Sequence, residues 1–141
     1  MNKFTFQMLL QCHYTGDNND IDQLHVEHFV EDNWQELDLN TYTPGFDIFM
    51  YAVLTCQHTY FRLNAAKYGL VLDSSEGLIT VMADEHRSIE TLNVEFKGKL
   101  IKGSATNDAV DSIIARMGLC PVSINLKDIP HNKITASFDP A

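Results

Sequence analysis

No lysine or arginine occurs between Lys3 and Arg62. Residues 1–61 set one lysine against nine acids, while residues 62–141 set nine basic residues against ten acids. With a net charge of −9, that distribution excludes a nucleic-acid partner, because neutralising phosphates takes clustered Lys and Arg. The acidic half reads instead as solvated surface. Cysteine is scarce too: three are too few for a disulfide framework, so reduced thiols in a cytoplasmic protein are expected. Long apolar runs are missing as well. The first twelve residues are interrupted by Thr5, Gln7 and Gln11, which excludes a signal peptide, and no later stretch is long enough to predict a membrane span. There is no glycine-rich phosphate loop and no serine-nucleophile elbow.

What is present suffices for one core. Hydrophobic residues make up 45% of 141, which predicts a single domain over 1–141. Phe4, Phe6, Met8, Leu10 and Cys12 alternate with more polar residues, the pattern of a half-buried strand. Turn formers fill 15–20, and short strands are expected near 23–30 and 34–39, so 1–42 is an antiparallel meander. Thr43-Pro44 predicts a helix start and Gly69 its stop, making 43–69 the central helix. Its 48–54 stretch is apolar on every side, which predicts a first half buried all round. Residues 70–141 then hold strands near 78–82 and 92–100, a helix capped by Ser104 or Thr106 and ended by Gly118, a Cys-Pro segment, and a closing strand at 133–138. Strands segregated from helices indicate α+β with antiparallel sheets around the long helix.

The candidates for chemistry are few. Cys120 precedes Pro121, and if Pro121 opens a helical turn, the thiol lies where free N–H groups favour an anion. Cys56 lies deep in the long helix and needs activation from elsewhere. Free cysteine is also a common small core residue, and Cys12, the last inward residue of its strand, fits that reading. Asp47, near the helix start, is either a carboxylate that orients a substrate or a plain complement to the helix dipole. His25 and His28 point to opposite faces of a strand, and no spacing supports a metal site. His58 is about 200° around the helix from Cys56 and is not its base.

The helix from Thr43-Pro44-Gly45 through Cys56 to Asn64-Ala65-Ala66-Lys67-Tyr68-Gly69-Leu70, followed 64 residues after Cys56 by Cys120-Pro121-Val122-Ser123, resembles the OsmC/Ohr family. The resemblance spans most of the chain. It implies an interwoven α+β homodimer with two sites at the subunit interface. It further implies a thiol-dependent peroxidase that reduces organic hydroperoxides in defence against oxidative stress. Cys56 would be the peroxidatic and Cys120 the resolving thiol, restored by an external dithiol reductant, with no cofactor and no metal. Asp47 is the nearest counterpart of a carboxylate that is usually Glu. The family's peroxidatic members carry an arginine in the loop after the first strand. Here that loop is Thr15-Gly16-Asp17-Asn18-Asn19-Asp20. The missing arginine keeps a second reading open, a non-catalytic dimer of the same fold that binds a small apolar or electrophilic ligand.

Overall fold

The computed structural model describes residues 3–141. Three strands come first, β1 (Phe4–Thr15), β2 (Asp20–Val30) and β3 (Asn33–Glu36). The long helix α1 (Gly45–Lys67) follows, then β4 (Val71–Ala83) and β5 (Ile89–Lys102). Helix α2 (Asn107–Met117), a 3-10 turn (Ser123–Leu126) and β6 (His131–Asp139) complete the chain. The strands form one six-stranded sheet in the order β3-β2-β1-β4-β5-β6, with the helices packed against it.

One expectation about the sheet needs correction. All neighbours are antiparallel except β5 and β6, which are parallel, so the sheet is mixed. The cause is the connection, since the chain crosses through α2 between these strands, and a parallel pair needs such a crossover. Strand β4 also begins at Val71, well before the apolar run near 78. Its first half turns Ser75 and Gly77 inward in place of bulky apolar residues. Ser75 is buried and bonded, and a Cβ on Gly77 would lie 2.4 Å from the Phe96 ring.

The alternating face of β1 is buried as its pattern requires, with Met8, Leu10, Cys12 and Tyr14 turned inward. Leu54 and Phe61 of α1 meet Ile79, Val81, Val94 and Phe96 in the same core. Phe61 is stacked between Phe96 and Phe138, with ring centroids 4.9 and 5.2 Å away.

The ends of α1 are set differently. Pro44 is the residue before the first helical position, and its side chain makes no cap. The Thr43 hydroxyl accepts from the Asn40 N–H and donates to the Asp38 carbonyl, so it braces the preceding loop instead of capping the helix. At the far end Gly69 has φ +72°, its N–H bonds the Ala66 carbonyl, and the Leu70 N–H bonds the Ala65 carbonyl. That is a Schellman stop, which needs a residue at ease with positive φ. In α2 the cap is Thr106, whose hydroxyl accepts from the Ala109 N–H.

The first half of α1 is not buried all round. Met50, Val53 and Leu54 are buried, whereas Ile48 is 49% exposed and Phe49, Tyr51 and Ala52 are only partly covered. One chain provides a sheet for one side of this helix and leaves the other open.

Candidate functional site

Cys56 and Gln57 are consecutive on α1, and they face the segment that follows α2. That segment is short because Met117-Gly118 ends α2, and the Leu119 and Cys120 N–H groups fold back on the Arg116 and Met117 carbonyls. The chain then turns at Pro121, with the Ile124 N–H on the Cys120 carbonyl. Cys120 and Ser123 are buried within this turn.

The turn brings together two thiols separated by 64 residues. Cys120 and the Val122 N–H lie close enough to the Cys56 thiol to act on its ionisation. Cys120 donates to Ser123 Oγ at 3.0 Å and accepts the Ser123 N–H at 3.3 Å. Gln57 Nε2 donates to the same Ser123 Oγ at 2.8 Å. A chain of hydrogen bonds therefore runs Cys120, Ser123, Gln57, with Cys56 near its Cys120 end. No disulfide joins the sulfurs, and Cys56 is only partly buried.

Electrostatics at Cys56 favour the thiol. Burial pushes its pKa up from 9.0, and the neighbouring Cys120 thiol adds to the rise. The Val122 N–H opposes both, and it is the one influence that favours the thiolate. No cation contributes. Arg62 bonds the Asn19 carbonyl through Nη1, and its charge acts on Cys12, Tyr14 and His58. Arg87 lies over the Phe4 ring, 4.1 Å from its centroid.

The other sequence candidates fall elsewhere. Asp47 lies 3.3 Å from His28 Nδ1, where β2 crosses the start of α1. It precedes Cys56 by nine residues, roughly 13 Å along the axis and half a turn around it, so within one chain it does not meet the thiols. His25 is turned to Glu27 and Glu36, away from His28. His58 faces the sheet, with Nε2 2.7 Å from the Tyr14 hydroxyl, which is itself 2.6 Å from Ser75 Oγ. Burial, aided by Arg62, pushes the His58 pKa down to about 4. Cys12 lies in the same buried cluster, and burial raises its pKa also.

Three residues of structural consequence went unassigned in the sequence. Gln57 and Ser123 join the helix to the Cys-Pro turn. Asn19, fully buried with φ 55°, donates through Nδ2 to the Arg62 and Leu70 carbonyls and accepts the Leu72 N–H. Asparagine tolerates that backbone better than most residues, which is the signal in a run of turn formers. The loop thus clamps the end of α1. Beside it an open hollow of about 590 Å3 is lined by Asn18 with Thr59, Tyr60, Leu63 and Lys67. Thr59, Tyr60 and Leu63 follow Cys56 by three, four and seven residues, so they share its face of the helix.

Known structures settle the architecture. An OsmC-like hydroperoxide resistance protein from Jannaschia sp. CCS1 superposes with a TM-score of 0.58 at 12% identity, covering 88% of this chain and 87% of that one. An OsmC-like protein from Mycoplasma pneumoniae gives 0.53 at 11% identity, covering 83% and 89%. A hypothetical protein from Aquifex aeolicus VF5 gives 0.55 at 9% identity over 94% of both chains. The chain has the OsmC-like fold. No protein-family model matches the sequence, and no curated protein matches it significantly. In this OsmC-like fold the long helix and the Cys-Pro turn carry the two facing thiols. No helix among the described residues is long and apolar enough to cross a membrane, and no group of three or more His, Cys, Asp or Glu among them is placed to hold a metal ion.

Proposed function

We propose that this protein is a thiol-dependent peroxidase that reduces organic hydroperoxides through Cys56 and Cys120. The observation that carries the reading is the approach of two free thiols, 64 residues apart, one partly exposed and one buried. A buried, fixed second thiol suits resolution better than attack. The Cys56 thiolate attacks the peroxide oxygen, which leaves a sulfenic acid on Cys56 and releases the alcohol. Cys120 condenses with the sulfenic acid, giving a disulfide and water, and an external dithiol then reduces the disulfide. Asp47 lies beside His28, away from the thiols within one chain, so the in-chain chemistry falls to the two sulfurs and the Val122 and Ser123 N–H groups. The hollow beyond Cys56 on the same helix face offers room for an apolar peroxide tail.

The reading includes a homodimer. Ile48 and Leu63, 49% and 41% exposed, mark the open side of α1, and a second copy of the chain is the partner proposed to cover it. Turnover tests the chemistry. With cumene hydroperoxide as substrate and dithiothreitol as reductant, Cys56→Ser abolishes peroxide consumption and Cys12→Ser leaves it intact. Consumption that survives Cys56→Ser overturns the assignment.

One observation favours a second reading, a dimer of the same fold that binds a small apolar or electrophilic ligand without turnover. No cation acts on Cys56, and its pKa is raised. A group aimed at developing charge contributes on the order of a hundredfold in rate, which this site forgoes. Under that reading Cys56→Ser leaves ligand binding unchanged.

A further inference from the structure

We infer that Gln57 is a positioning residue for the resolving step, holding the Cys120 thiol through Ser123. The inference rests on the peroxidase reading and names a part of that site that neither thiol supplies.

Ser123 Oγ accepts from two groups, Cys120 Sγ at 3.0 Å and Gln57 Nε2 at 2.8 Å. A hydroxyl oxygen has two lone pairs, so both are used and the Ser123 proton is free to be donated. The Ser123 N–H meanwhile holds Cys120 Sγ at 3.3 Å, so the buried sulfur is fixed from two sides of one residue. Gln57 is adjacent to Cys56 in sequence, and any shift of α1 that moves the attacking thiol also moves the amide that holds Ser123. The helix thereby couples the positions of both sulfurs.

The second observation is the other end of the same amide. Gln57 is 1% exposed, and its Oε1 is buried with no hydrogen-bond partner. Buried amide oxygens are rarely left unfilled, and one on the residue next to Cys56 suits a donor present for only part of a cycle. The resolving step makes such a donor. Cys120 sulfur attacks Cys56 sulfur, the S–S bond forms, and the S–O bond breaks with its electron pair on the departing hydroxyl. The Cys120 proton passes to Ser123 Oγ as the Ser123 proton passes to that hydroxyl, which leaves as water. Ser123 is thus a catalytic residue, and Gln57 acts by placing it.

The test separates the two steps in the full-length protein. One equivalent of cumene hydroperoxide is added, peroxide loss is timed, and dimedone adducts and disulfide are followed by mass spectrometry. Gln57→Met keeps the side-chain volume and removes both polar atoms. It leaves peroxide loss within about twofold of the parent. It slows disulfide formation about five- to tenfold, the equivalent of one hydrogen bond, so that dimedone-trapped Cys56 accumulates. Ser123→Ala produces the same split, and combining the two adds little, since both act on one contact. Equal slowing of both steps, no slowing of either, or effects that multiply in the double variant would each overturn the positioning role. A parent protein that forms no sulfenic acid at all overturns the peroxidase reading instead, and the two failures are distinct.

Discussion

At Cys56, burial and the neighbouring sulfur of Cys120 both favour the protonated thiol, and one peptide N–H favours the thiolate. Because the pKa is raised above 9.0, the reactive form is scarce at neutral pH and grows about tenfold with each unit of rising pH. The rate of Cys56 with iodoacetamide or an organic hydroperoxide should therefore climb steadily from pH 7 to 9. A plateau reached below pH 8 would reveal a thiolate-stabilising charge that this chain does not supply. The sign follows directly: a raised pKa shifts reactivity toward alkaline pH, whereas a cation beside the sulfur would shift it toward acid. The neighbouring Gln57 and Ser123 tie the site together through uncharged hydrogen bonds. Their importance was invisible in sequence, because a buried glutamine in a helix has no local mark and is recognised only by what lies 66 residues away.

At the scale of elements, much was legible. The alternation through Cys12, the stop at Gly69 and the end of α2 at Gly118 each reflect a local period or a backbone requirement that the structure keeps. The start of β4 was hidden because its inward residues include Ser75, which is satisfied by Tyr14, and Gly77, which yields space to Phe96. Both are tertiary reasons, absent from any window of the sequence. The cap of α1 misled for the opposite cause. Thr43 is a sound capping residue, yet its hydroxyl is taken by Asn40 and Asp38. The parallel placement of β6 depends on where the chain lands after α2, which periodicity does not encode. The candidate site divides along the same line: the cysteines are legible as candidates, the turn that sets them near each other is not, and Asp47 lies beside His28.

At the scale of the molecule, the open side of α1 is the main unfinished surface. An apolar helix with Ile48 and Leu63 facing outward beside Cys56 is poorly suited to water, and a second copy would cover it. Sedimentation equilibrium at micromolar concentration should give twice the mass of one chain. A clean monomer would remove the interface and leave Cys56 more open than the proposed chemistry needs. The central claim, however, concerns the two thiols and is tested within one chain. One equivalent of organic hydroperoxide added to the reduced protein should give a loss of two hydrogens and a single crosslinked peptide joining Cys56 to Cys120, with Cys12 still free. Slow, indiscriminate oxidation of all three cysteines, with no Cys56–Cys120 peptide, would contradict it.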